Sequence, residues 1–224
     1  MTHALDIVRM QLLDRRLVLG TLGGVLLFVA LGVGITAGEI ATSGSFGKGF
    51  AVGIIGGAYG GVAGAQATSL SRLLPFAVAM GRTRRDYYLG TVLFVLLETL
   101  VLGALLLLFL GVEQVTGGWG GDVRFLGAGW EMVGNPVGQF LVFAAPLLLT
   151  FPMVLLGVVL HARWGLLGLV VGAVLAGAAA FAVVIATGLL TVGATIPVAD
   201  TVRLVAIGAV FAVGGWFVVR RTPV

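Results

Sequence analysis

Long apolar runs alternate with short polar connectors along this chain. The runs cover residues 17–37, 49–70, 88–112, 137–160, 166–190 and 202–219. Each is close to the roughly 20 residues that a helix needs to cross the hydrocarbon layer of a bilayer. Lipid offers the backbone no hydrogen-bonding partner, and a helix supplies its own. The pattern therefore predicts an all-α polytopic membrane protein with six transmembrane helices. Residues 1–16 follow a different period: Leu5, Val8, Leu12 and Leu13 share one helical face, while Asp6, Arg9 and Arg16 fall elsewhere. That pattern predicts a short N-terminal helix lying in the membrane interface, the alternative being a frayed tail. No linker or low-complexity segment divides the chain, so residues 1–224 read as a single transmembrane domain.

The first run follows Arg15-Arg16 and ends at Thr36-Ala37-Gly38, the outline of a secretory signal. Its apolar stretch is 21 residues long, against about 7–15 for a signal core. It is read as a retained helix.

Composition supports the membrane class. Hydrophobic residues make up 59% and charged residues 10%, and a soluble domain carries about 25% charged residues. Cysteine is absent, which excludes disulfides, thiol catalysis and Cys-ligated zinc. The net charge of +4 does not point to nucleic acid, because the basic residues are spread among short connectors. They act instead as topology signals. Arg9, Arg15, Arg16, Arg72, Arg82, Arg84, Arg85, Arg163, Arg220 and Arg221 fall on one side of the six-span layout. Lys48, Arg124 and Arg203 fall on the other. The positive-inside bias puts the first group, and both termini, in the cytoplasm of a multi-pass plasma-membrane protein. The outer side carries Glu39, Glu113, Asp122, Glu131 and Asp200. Its longest connector, residues 113–135, holds seven glycines with Trp119, Phe125 and Trp130. Amphipathic aromatics favour the headgroup layer, so this connector is expected to be a lid or short helix resting on the outer membrane surface.

Glycine is abundant, at 37 residues, where inside a membrane it lets helices approach closely. The second run carries two rows at four-residue spacing, Gly53, Gly57, Gly61 and Gly56, Gly60, Gly64. Static close packing within the bundle is the simpler reading; helices that slide, or a dimer seam, is the other.

Four of the basic residues, Arg72, Arg82, Arg84 and Arg85, crowd into the connector between the second and third runs. Pro75 is expected to break or restart the helix there, Phe76 to Met80 to form a short helix along the membrane surface, and Gly81 to allow a sharp turn. Thr83 is placed to cap the helix that follows, within Arg82-Thr83-Arg84-Arg85-Asp86, and Tyr87-Tyr88 to open the next span at the interface. A soluble partner could grip such an element; an ordinary cytoplasmic loop with topology charges fits equally well.

The run LPFAVAMGRTRRDYYLGT at 74–91 resembles the corresponding connector in permease subunits of ABC transporters of the ABC-2, exporter-like type. WGGDVRFLG at 119–127, followed by Asn135-Pro136, is similar to actinobacterial members. In layout the resemblance extends over nearly the whole chain, and its specific part is short. It implies a transmembrane subunit that pairs into a homo- or heterodimer and binds separate ABC ATPase subunits, which hold the ATP and magnesium. It also implies that Arg72, Pro75, Phe76, Gly81, Arg82, Thr83, Arg84, Arg85 and Asp86 form the ATPase-coupling element.

No catalytic motif is found. The sole lysine, Lys48 in Gly47-Lys48-Gly49, lacks the remaining residues of a phosphate-binding P-loop. Ser43 and Ser45 lie in an outer connector, away from His161 and His3, so no serine–histidine pair forms inside the bundle. A metal site needs clustered carboxylates, and only Glu98 lies deep in a span. The chain is expected not to be an enzyme and to bind no metal.

Glu98 is the ionisable residue set well inside the bilayer. Such a group is a functional candidate unless it is neutral and hydrogen-bonded between helices; both readings stand, with Tyr59, Gln66 or Thr99 as candidate partners. Gln139, Thr150 and Thr187 are read as helix–helix or own-backbone hydrogen bonds, and Pro146 and Pro152 as bends in the fourth span. Two functions fit the whole. One is an ABC permease subunit for efflux of a hydrophobic or amphipathic compound. The other is a non-transporting integral membrane assembly or sensor protein.

Overall fold

The computed structural model describes residues 2–43, 48–119, 123–127 and 135–186. Its elements are helices: α1 (Thr2–Leu13), α2 (Arg15–Ser43), α3 (Lys48–Ala79), α4 (Arg84–Val115) and α5 (Pro136–Ala186). No strand occurs among the described residues. Three stretches, Leu17–Thr42, Arg84–Val115 and Pro136–Val158, are long and apolar enough to cross a membrane. They correspond to the first, third and fourth runs. Their outer faces carry large apolar side chains such as Leu27, Leu31, Leu93, Leu100 and Leu108, which suits lipid as the surrounding solvent. The run at 202–219, the end of the run at 166–190, Thr187, Trp130, Glu131, Asp122 and the basic residues Arg203, Arg220 and Arg221 lie outside the described residues.

The helices pack as two pairs, α2 with α3 and α1 with α4, and α5 packs against both α3 and α4. Two cores result. One gathers Ile7, Leu17, Leu70, Ala77, Tyr87, Tyr88, Phe94, Val95, Phe151 and Leu155 at the end that holds the α3–α4 turn. The other joins Val25 and Val29 of α2, Tyr59 and Val62 of α3, Leu102 and Leu106 of α4, and Phe143 and Leu147 of α5 to Phe125 and Leu126. Tyr87 and Tyr88 belong to the first core, at 3% and 7% exposure. They stand in the first turns of α4, where α1 and α5 cover them.

The helix ends follow local chemistry. Asp14 separates α1 from α2, and its carboxylate oxygen accepts from the Leu17 N–H. Asn135 caps α5, accepting from the Gly138 N–H at 2.6 Å, and Pro136 stands in the first turn, where its missing N–H costs nothing. Gly165 (φ 62°, ψ −143°) interrupts α5, at the gap between the fourth and fifth runs. Pro146 and Pro152 lie inside α5 without ending it.

Two sequence expectations change here. Pro75 does not break the second helix: α3 runs through it to Ala79. Proline forfeits the bond to the carbonyl four residues back; that residue, Ser71, is exposed, so solvent can take the freed group. No separate surface-parallel helix therefore forms between Phe76 and Met80. The N-terminal helix, in turn, is docked as well as amphipathic. Ala4, Ile7 and Gln11 are buried, and the Gln11 side-chain amide donates to Thr91 Oγ1 at 3.1 Å. Leu5, Leu12 and Leu13 remain exposed on a neighbouring face, free to meet lipid.

Close approach rests on glycines that receive a bulky neighbour. A Cβ on Gly57 would stand 2.7 Å from the Phe28 ring, one on Gly90 2.6 Å from Ile7 Cβ, and one on Gly103 2.8 Å from the Phe140 ring. Gly61 continues the Gly57 row towards Phe28, whereas Gly56, Gly60 and Gly64 meet nothing within 4 Å among the described residues. The first row thus packs α3 on α2, and Gly53 lies on the same row. Gly90→Leu is expected to lower stability by about 1–3 kcal/mol through overpacking, with α1 released from α4, and Gly60→Ala to leave it unchanged. Thermal unfolding in detergent, with proteolysis near the N-terminus, checks both.

Candidate functional site

The turn between α3 and α4 is built from backbone hydrogen bonds. The Arg82 N–H donates to the Ala77 carbonyl and the Gly81 N–H to that of Val78, both at 3.0 Å. This is the Schellman closure of a helix, and it needs a left-handed residue; Gly81 supplies it with φ 78°. Thr83 then starts α4. Its hydroxyl oxygen accepts from the Asp86 N–H at 3.1 Å and its O–H donates to Asp86 Oδ2 at 2.6 Å. Asp86 also places negative charge in the first turn, where the helix dipole favours it. The expected roles of Gly81 as the turning residue and Thr83 as the cap both match the structure.

The turn is tethered to α1 by an ion pair, Arg82 Nη2 to Asp6 Oδ2 at 2.8 Å. Both side chains are partly solvated, so the pair is worth under about 1 kcal/mol and sets position more than stability. Around it, Arg72, Pro75, Phe76, Met80 and Arg85 are exposed, Phe76 at 53% and Met80 at 62%. The residues singled out from sequence for coupling thus fall in the end of α3, the Met80–Thr83 turn and the first turn of α4.

Glu98 lies near the middle of α4. Gln66 of α3 is its partner: the amide Nε2 donates to Glu98 Oε2 at 2.7 Å. Thr21 of α2 lies against the same carboxyl group, and its hydroxyl also donates to the Leu17 carbonyl at 3.0 Å. Of the other two candidate partners, Tyr59 donates to the Phe143 carbonyl at 3.3 Å, and Thr99 is buried in α4 beside Glu98 in sequence. Glu98 Oε1, Gln66 Oε1 and the hydroxyl of Ser69 are buried without a hydrogen-bond partner among the described residues. Thr150 bonds its own helix at the Leu147 carbonyl, as expected.

Sequence reasoning missed the carboxylate that organises the opposite end. Glu113, in the last turn of α4, is 2% exposed. Its Oε2 accepts from Trp119 Nε1 (2.7 Å), the Phe125 N–H (3.1 Å) and the Leu126 N–H (2.9 Å), and its Oε1 from the Gly127 N–H (2.6 Å). A carboxylate at a helix C-terminus is opposed by the dipole, and four donors overcome that. Gly117 (φ 69°) and Gly118 (φ 96°) turn the chain back over Glu113, with the Gly118 N–H on the Glu113 carbonyl at 2.8 Å. Phe125 and Leu126 are fully buried, and the Phe125 ring fills the space beside Gly32 of α2. The described part of this connector is therefore a plug inserted into the bundle, correcting the expectation that it rests on the membrane surface. Its signals in the sequence were Glu113, the Gly117-Gly118 pair and the apolar Phe125-Leu126 together; an acidic loop residue by itself reads as solvated.

Among the described residues no group of three or more His, Cys, Asp or Glu side chains is placed to hold a metal ion. Comparison with protein-family models, with curated proteins and with solved structures yields no match.

Glu113→Ala leaves buried N–H groups without acceptors, at about 1–3 kcal/mol for each group lost. The expected result is a clear fall in thermal stability and faster amide exchange at Phe125, Leu126 and Gly127. Hydrogen exchange read by mass spectrometry checks it, with the Gln11–Thr91 end as the internal control.

Proposed function

We propose that this chain is the membrane-spanning permease subunit of an ATP-driven ABC transporter of the exporter-like type. It has six transmembrane helices, pairs with a second permease subunit, and exports a hydrophobic or amphipathic compound across the plasma membrane. The observation that carries the reading is the α3–α4 turn. It combines a rigid backbone closure, exposed Phe76 and Met80, and exposed Arg72 and Arg85 in one small patch. Apolar anchors flanked by arginine are the composition of a protein–protein contact. The ion pair to Asp6 makes the N-terminal helix move with the turn. Force applied to the patch by an ATPase would reach both α3 and α4, because the turn is only four residues long, Met80 to Thr83. ATP and magnesium would be held by that separate ATPase.

Two experiments test this. Arg84→Glu with Arg85→Glu is expected to abolish copurification with an ABC ATPase subunit while the permease stays folded. If the wild type itself binds no ATPase, a non-transporting assembly or sensor protein becomes the better reading. The chain has no native cysteine, so one placed at Arg85 reports topology directly. An impermeant maleimide is expected to leave it unlabelled in intact cells and to label it after permeabilisation.

A further inference from the structure

We infer that Glu98, held by Gln66, is an intramembrane proton-binding site. The inference stands apart from the transporter reading and rests on what surrounds the carboxyl group. Glu98 lies 14 residues from the first residue of α4, about 21 Å along its axis at 1.5 Å per residue, which is well away from either end. Its exposure is 9% and that of Gln66 is 4%.

Among the described residues, Gln66 Nε2 donates to Glu98 Oε2 across the α3–α4 boundary, and the Thr21 hydroxyl of α2 lies against the same carboxyl group. The remaining oxygens of the pair, Glu98 Oε1 and Gln66 Oε1, are both acceptors in the charged form of the site, and both are buried without a donor. No ion pair involving Glu98 is formed among the described residues. On α2, Thr21 is neutral. On α3, Tyr59 is engaged with the Phe143 carbonyl, and Arg72 is exposed almost two turns beyond Gln66. On α4, Tyr87 and Tyr88 lie in the other core. On α5, His161 is exposed beyond the core-packed part of the helix. With Glu98 ionised, the site has a formal charge of −1 and an excess of acceptors.

That combination selects the ligand. A water molecule donating to both free oxygens satisfies the hydrogen bonds and leaves the charge uncompensated in a low-dielectric surrounding. A divalent ion overcompensates it. A monovalent cation answers both needs. An alkali ion, however, requires a shell of several oxygens, and among the described residues the pair itself leaves two buried ones unpartnered, Glu98 Oε1 and Gln66 Oε1. A proton requires a single oxygen. Bound at Glu98 Oε1, it cancels the charge and turns one surplus acceptor into a donor. The bond it accompanies joins α3 to α4, two helices that pack mainly on other partners, so parting them would bring the acid to water.

The test is infrared spectroscopy of the full chain in lipid nanodiscs at neutral pH. The wild-type minus Glu98→Gln difference spectrum is expected to contain a protonated-carboxyl C=O band. Gln66→Leu is expected to retain that band at a shifted frequency, since the Nε2 hydrogen bond is lost; a band that does not move would show that it belongs to another acid and overturn the assignment. Labelling glutamate side-chain carboxyls with carbon-13 assigns the band in the wild type, should Glu98→Gln fail to fold. A difference spectrum with only carboxylate stretches overturns the inference. So does a carboxylate stretch that shifts when sodium replaces choline in the buffer, which would make the ligand an alkali ion.

Discussion

Helices in lipid gain little from burying apolar surface against one another, because the solvent they leave is as apolar as the partner they meet. Shape has to hold them. In this bundle it does so through glycine sockets: Gly57 for Phe28, Gly90 for Ile7, Gly103 for Phe140 and Gly32 for Phe125. Each socket joins two different parts of the chain: α3 to α2, α4 to α1, α4 to α5, and α2 to the plug. They form two groups, α1 with α4 and α5, and α3 with α2 and the plug. Dispersion falls off within an ångström of a gap, so seating a ring against bare backbone recovers contacts that any Cβ would forfeit.

Polar groups inside the bundle are handled in two ways with different consequences. Thr21, Thr36 and Thr150 return their hydroxyl hydrogens to their own helix backbone. Those bonds satisfy the group and tie nothing together. Gln11 to Thr91, Tyr59 to the Phe143 carbonyl and Gln66 to Glu98 cross between helices. Each cross-helix bond contributes about 0.5–2 kcal/mol in a membrane, comparable with a socket, and it adds direction that packing lacks. The polar bonds therefore fix register and rotation once the sockets have fixed distance.

Much of this was legible in the sequence. The apolar period gave the helices, because in lipid length and composition leave the backbone no other option. Gly81 and Thr83 were legible because a left-handed turn and an N-cap each demand a narrow set of residues. Gln66 was among three candidate partners for Glu98, and only the rotation of α3 about its axis chose between it and Tyr59. The continuity of α3 through Pro75 was not legible: proline's cost depends on whether the carbonyl it abandons faces solvent, a tertiary fact. The docked face of α1 was hidden for a related reason. Two of its contact residues, Ala4 and Gln11, are less apolar than the leucines beside them, and Gly90 makes the fit to Ile7 from the other side.

The two buried carboxyl groups of α4 show why residue type alone does not assign a role. Glu98 and Glu113 sit fifteen positions apart on one helix, at 9% and 2% exposure. Glu113 meets four N–H donors, three from the backbone of a segment that has no other way to close. Its charge is met from all sides, and the group is consumed in holding the plug. Glu98 meets one side-chain amide across a helix boundary and keeps an oxygen unanswered. A group whose demands are fully met has nothing left to exchange with a ligand. The same physics that makes Glu113 the more deeply buried of the two leaves Glu98 as the one with an unanswered oxygen.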